Sequence, residues 1–243
     1  MLDTLTYKPF GSRAILVEWP ARIDEAIVRD IVAYKEQVVN HYKDRLEDGI
    51  IGYHSLTLLF ADEITDVDAE FKALQSVCAG GEPALEITAA LWEIPVCYHE
   101  KFGIDLAAMS ATLELSKEEI IRRHSQTIYT VYFIGFLPGF LYLGGLDCHL
   151  AIKRKSSPRL NVAKGSVAIG GSQTGIYPTD SAGGWHILGK TPISLFDVKR
   201  ESPCFAQPGD HIRFVPVDIA EFDALERDVS RGTYKLRSNL PHD

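Results

Sequence analysis

Apolar and polar positions along this chain follow two different periods, and the changes of period mark its elements. Thr4–Tyr7 and Ala14–Trp19 alternate as short strands about a Pro9-Phe10-Gly11-Ser12 turn. From Asp24 the period lengthens: Ile27, Ile31, Tyr34, Val38 and Tyr42 fall on one helical stripe behind Asp24 as N-cap. Ile50–Phe60 returns to strand, Asp66–Cys78 forms a second amphipathic helix closed by Gly80-Gly81, and Ala84–Val96 is a long strand candidate. A β-rich order with two interspersed helices predicts a small ferredoxin-like α+β sandwich over residues 1–90.

A short helical bridge follows. Ile104–Leu113 is helical in pattern, and Ser116 with Glu119 makes a capping box leading into Ile120–His124. Beyond it the texture changes. Tyr129–Phe136 is β-branched and aromatic, and eleven of the 19 glycines lie between Gly135 and Gly189. Val167–Gly170, Trp185–Leu188, Ile193–Val198 and His211–Val217 add strands, so residues 91–218 read as a compact β-barrel with a helical lead-in. Residues 219–243 read as an appended helix, Ile219–Val229, and a fraying tail.

Charge narrows the choices. The 243 residues carry a formal net charge of −8 with no long basic stripe, which argues against a nucleic-acid partner. Lys153-Arg154-Lys155, with Arg159 beyond, is the one local basic cluster; it is either a solvated loop or an anion or partner contact beside a pocket. Cys78, Cys97, Cys148 and Cys204 are widely spaced and expected as reduced thiols. The first residues lack a signal-peptide pattern and no apolar run reaches about 20 residues, so the expectation is a cytoplasmic protein with no membrane segment.

Motifs sort less evenly. Gly184–Thr191 satisfies G-x-x-x-x-G-K-(S/T), but a turn precedes it, Trp185–Leu188 alternate like a strand, and Pro192 follows where a helix should start. It is an accidental match. The scattered histidines form no metal pattern, so no metal site is expected, and His99, His149 and His211 read as surface or loop residues. His124, ending a capped helix before the glycine-rich region, is either a cation at a helix C-terminus or a general acid/base at a pocket rim. The glycines either bring backbone N–H groups close to a ligand or only make tight barrel corners.

The run from His124 through Tyr129, Gly135-Phe136, Pro138-Gly139-Phe140, Tyr142–Gly145, Pro158-Arg159, Gly165-Ser166-Val167, Gln173–Pro178 and Gly183-Gly184-Trp185 to Gly189 resembles one family. It is known as the B-type 5-oxoprolinase subunit, KipI, or allophanate hydrolase subunit 1 family. The resemblance is strong from about Trp92 to Val217 and thinner before it. It implies a cyclophilin-like barrel behind a ferredoxin-like domain. It also implies two partners, a C-type subunit (KipA, or allophanate hydrolase subunit 2, family) and an A-type subunit (LamB/YcsF family). The implied activity of the complex is ATP-dependent opening of 5-oxo-L-proline to L-glutamate, with ATP, and Mg where needed, bound by the complex. Alternatives within the resemblance are a regulator that inhibits a sensor histidine kinase, and a subunit of a urea or amide carboxylase.

Phosphorylating a lactam oxygen needs cations and N–H donors around spreading charge. Among the resemblance motifs, His124 and Arg159 are the expected catalytic groups. Phe136, Pro138, Gly139, Gly165, Ser166, Gln173, Thr174, Tyr177, Gly183, Gly184 and Trp185 are the expected lining of a substrate or nucleotide pocket. The chain departs from the family pattern at Ala163-Lys164, Ala182, Lys190 and around Lys153–Ser157, which bears on substrate identity more than on scaffold.

Overall fold

The computed structural model describes residues 5–79 and 89–239, and the chain divides into two compact units, 1–88 and 89–243. The first unit runs β1 (Thr6–Pro9), β2 (Ala14–Glu18), α1 (Glu25–Tyr42), β3 (Leu46–Ile51), β4 (Ser55–Phe60) and α2 (Val67–Ala79). Its sheet is antiparallel in the order β1-β2-β4-β3. Asp24 caps α1, its Oδ1 accepting from Ala26 N at 3.0 Å, and the stripe Ile27, Ile31, Tyr34, Val38 and Tyr42 is buried against Ile15, Val17, Leu56, Leu58 and Phe60. Each such aliphatic side chain removed from water contributes roughly 1.5–3 kcal/mol.

Two expectations change here. Ile50–Phe60 is not one strand: Gly52 N donates to Ser55 O at 2.8 Å and turns the chain into a hairpin. The described elements run β-β-α-β-β-α, whereas a ferredoxin-like order is β-α-β-β-α-β; the edge beside β2 is filled by β1 from the N-terminal side. The first part of the Ala84–Val96 strand lies outside the described residues. Its remainder, β5 (Leu91–Cys97), joins the second unit.

That unit continues with α3 (Leu106–Leu113), α4 (Lys117–Gln126), β6 (Ile128–Ile134), β7 (Leu141–Gly144), β8 (Arg159–Val162) and β9 (Ser166–Gly170). Then come β10 (Gln173–Ile176), β11 (Ser181–Gly183), β12 (His186–Lys190), β13 (His211–Val217), α5 (Ile219–Ser230) and β14 (Arg237–Ser238). Seven strands, β12-β9-β10-β7-β6-β13-β5, form a barrel that closes where Lys190 of β12 pairs with Cys97 of β5. The β5–β13 pair is parallel and the other barrel pairings are antiparallel.

Period-two pairs fill the interior: Ile94 and Val96, Tyr129 and Val131, Leu141 and Leu143, Val167 and Ile169, Ile212 and Phe214. The opposite face carries a second cluster of Phe140, Val162, Ala168, Tyr177, Trp185 and Ile187, over which the separate β8–β11 ribbon folds. Ile193–Val198 forms no strand; only Phe196 makes an isolated bridge, to Cys204.

The C-terminal elements are part of this unit: Phe222 of α5 is buried with its ring 4.6 Å from Phe102, and β14 pairs with β5. The Gly184–Thr191 run contains strand β12 (His186–Lys190) and no helix follows it directly. Among the described residues no helix is long and apolar enough to cross a membrane.

Candidate functional site

The β8–β11 ribbon sets Gly183 opposite Arg159. Gly183 is required there, because a Cβ would collide with the buried Tyr177 hydroxyl and ring. Gly184 O accepts from Lys155 N at 2.7 Å and ties the preceding basic segment to the ribbon. Beneath lies Asp105, 4% exposed. Its Oδ1 accepts from Arg159 Nη2 at 2.5 Å and pairs with Lys155 Nζ at 3.1 Å, and its Oδ2 accepts from Ile187 N at 2.7 Å.

Burial opposes ionisation of Asp105, yet the bonds from Arg159, the Ile187 N–H and Lys155 outweigh it and hold the carboxyl below its usual range. The guanidinium is therefore fixed by a charged partner on one edge. Its Nη1 is buried with no hydrogen-bond partner, as are Ser181 Oγ on the same ribbon and His186 Nδ1 at the start of β12. A guanidinium held by a buried carboxylate, with 27% of its side chain exposed, suits an anionic oxygen, or one on which negative charge develops.

Tyr177 and Trp185 support this site from below instead of walling an open pocket. Both are buried, and both meet Phe140 edge to face, at 5.3 and 5.6 Å. The Arg154 guanidinium lies 5.4 Å from the Trp185 ring. Phe136, 66% exposed at φ 68°, reaches the same aromatic cluster through Phe140 at 5.7 Å. Pro138 and Gly139 make the tight turn behind it.

Gly165 and Ser166 serve another purpose. Gly165 N donates to Tyr177 O at 2.8 Å, Thr191 N donates to Gly165 O at 2.9 Å, and Tyr177 N donates to Ser166 O at 2.9 Å. They stitch three segments together. Gln173 is half-buried at the start of β10.

His124 is not at a pocket rim. It is fully buried, stacked on Phe214 with ring centroids 4.6 Å apart. Thr174 Oγ1 donates to Ala168 O at 3.1 Å, so it accepts from His124 Nε2 at 2.9 Å, and Nδ1 accepts from Tyr98 Oη at 2.8 Å. The chain Tyr98–His124–Thr174–Ala168 is satisfied with a neutral ring, and burial lowers the His124 pKa to about 3. A sealed, neutral histidine cannot exchange protons with substrate near pH 7. His124 and Thr174 form a structural core network.

That network has a pH signature. The unfolded chain takes up a proton at His124 near pH 6.5, whereas the folded chain does not until about 3. Its contribution to stability is therefore complete above pH 6.5 and is lost as pH falls toward 3, by about 1.4 kcal/mol per pH unit. His124→Gln, which cannot titrate, is expected to start less stable at neutral pH and to lose less on acidification. Urea midpoints of both proteins at neutral and mildly acidic pH provide the comparison; equal losses would contradict the assignment.

Asp105 and His186 are missing from the residues expected at the site, and Lys155 is named only as part of the basic cluster, under one of its two alternatives. Asp105 lies inside the Ile104–Leu113 helical pattern; it directly precedes α3, and its side chain makes no capping bond to that helix. Asp147, Cys148 and His149 bring three possible metal-binding atoms together, but Asp147 is already held by Arg123 at 2.7 Å and His149 at 2.8 Å. Cys97, Cys148 and Cys204 are free thiols.

Comparison with known proteins matches this architecture to a family. A model described as carboxyltransferase domain, subdomain C and D, matches residues 5–206. The B-type 5-oxoprolinase subunit of Escherichia coli O157:H7 is 38% identical over 207 residues, covering 85% of this chain and 93% of that protein. The protein of the same name from Bacillus subtilis (strain 168) is 42% identical over 143 residues, covering 59% of this chain and 60% of that protein. Among solved structures, TTHA0988 superposes with a TM-score of 0.73 at 32% identity, covering 85% of this chain, which spans only 40% of that longer one. The chain belongs to the carboxyltransferase subdomain C and D family, among the B-type 5-oxoprolinase subunits.

Proposed function

We propose that this chain acts as the B-type subunit of a heteromeric, ATP-dependent 5-oxoprolinase that opens 5-oxo-L-proline to L-glutamate. The observation that carries the proposal is Arg159, anchored by buried Asp105 on a glycine-rich ribbon with 27% of its side chain exposed. A lactam is resonance-stabilised and resists water. Transfer of the γ-phosphoryl group of ATP to the lactam oxygen, with ADP leaving, makes the ring carbon electrophilic; water adds there, the C–N bond breaks with nitrogen taking up a proton, and a second water hydrolyses the resulting γ-glutamyl phosphate to L-glutamate and phosphate. In this scheme Arg159 faces the oxygen on which charge accumulates, and Asp105 keeps the guanidinium in place.

Partner subunits of the C and A types supply the remaining groups, and the complex works in the cytoplasm. The barrel is taken as cyclophilin-like, and the four-stranded unit as a ferredoxin-like sandwich with a rearranged edge. The test is ATP-dependent glutamate release by this chain alone and with its C-type and A-type partners. The chain alone is expected to be inactive and the mixture active.

A further inference from the structure

We infer that the pocket lined by Leu113, Ile152, Lys153, Arg154, Lys155 and His186 is a binding site for a phosphate-bearing polyanion such as the phosphate chain of a nucleotide. The pocket measures about 390 Å³, room for a small molecule, and its lining holds three cations, a histidine and no carboxylate. In a chain of net charge −8 such a lining stands out. Lys155 shares its charge with Asp105, and Arg154 lies over Trp185. The Lys153 ammonium is exposed and pairs with no carboxylate among the described residues. A single carboxylate would leave most of this charge without a counter-ion, whereas a di- or triphosphate matches it.

The loop bearing these cations is exposed but anchored. Ile152 and Gly171 exchange backbone hydrogen bonds at 3.1 and 2.7 Å, His186 Nε2 donates to Lys153 O at 3.0 Å, and Lys155 N donates to Gly184 O at 2.7 Å. The backbone is thus pinned at three of four consecutive positions, so the cations are presented before any ligand arrives. With Nε2 committed to Lys153, His186 Nδ1 is buried and lacks a partner. A ligand hydroxyl or a phosphate O–H would donate to it. Leu113 and Ile152 add apolar surface on which the remainder of a ligand can rest.

Binding by this chain alone does not depend on the lactam reaction; only the identification of the polyanion with ATP of that reaction rests on the proposal above. The test is calorimetric titration of the full chain with pyrophosphate, ATP and glutarate, at low and moderate salt. Pyrophosphate and ATP are expected to bind, more weakly as salt rises, and glutarate at least tenfold more weakly. ATP binding more tightly than pyrophosphate would place the nucleoside on the apolar floor, whereas equal affinities would assign the pocket to the phosphate chain.

Lys153→Glu is expected to weaken pyrophosphate binding at least tenfold. His186→Gln, which keeps a donor for Lys153 O, is expected to weaken it several-fold. Lys72→Glu, the same charge change on the first unit, should alter it less than twofold, and unchanged melting curves without ligand show that the variants are folded. No binding of pyrophosphate at millimolar concentration, equal binding of glutarate, or equal losses in Lys72→Glu and Lys153→Glu would overturn the inference. Inactivity of the reconstituted enzyme would leave the binding result standing.

Discussion

Replacing Asp105 by alanine is expected to destabilise the second unit by about 3 kcal/mol, more than most single substitutions. The change removes one buried carboxylate and strands three groups together: the Arg159 guanidinium, the Lys155 ammonium and the Ile187 N–H. Breaking a buried pair by removing one partner costs about 3–5 kcal/mol, because the other charge stays desolvated. The low end applies here, since the Arg159 and Lys155 side chains keep 27% and 25% exposure and water can reach them.

Asp105→Asn preserves shape and an acceptor for one donor but removes the counter-charge, so it should fall between wild type and alanine. Because the folded-state pKa of Asp105 is lowered, the contribution is complete above pH 4 or so and is lost as pH falls further. Urea unfolding followed by tryptophan fluorescence measures it. A loss for Asp105→Ala below about 1 kcal/mol would mean that the carboxylate is not holding the ribbon.

The second large effect is on catalysis. Arg159→Ala in the reconstituted complex is expected to lower kcat by about 10²–10³-fold, the usual consequence of removing a donor to developing oxyanion charge. KM should move less, because the contact strengthens as charge develops. Lysine at this position keeps the charge but not the two-edged fork that serves Asp105 and a substrate oxygen together, so it should restore only a small part of the rate. Added guanidinium should rescue the alanine variant in part and leave wild type unchanged. Steady-state kinetics on a complex shown to be assembled decides it; a kcat within threefold of wild type would remove Arg159 from the reaction.

Much of the framework could be read from local pattern. The α1 stripe from Ile27 to Tyr42 is buried as its period implied, and Ser116 accepts from Glu119 N at 3.1 Å as its capping box implied. The alternation of Trp185–Leu188 distinguished a strand from a phosphate loop. Arg159, Gly183, Gly184, Tyr177 and Trp185, quoted from separate motifs, meet around one ribbon.

What escaped was non-local or masked by a commoner role. The β5–β13 pairing joins residues 120 apart, as with Glu93 and Arg213, and no local pattern announces it. Asp105 fell inside the Ile104–Leu113 helical pattern, and its partner Arg159 lies 54 residues on. His124 was judged by its place at a helix end, although its spacing of four from Ile120 put both on one face, and both are buried. The β3–β4 hairpin was run together because Gly52-Tyr53-His54 carries only one strong turn residue.

The most direct measurement of the central claim is glutamate release from 5-oxo-L-proline in the presence and absence of ATP, by this chain, its partner subunits, and the full mixture. Release only in the full mixture, only with ATP, and greatly reduced by Arg159→Ala is the result expected of a B-type subunit that contributes its Asp105–Arg159 site. A folded, assembled complex that releases no glutamate, or one indifferent to Arg159, would contradict it.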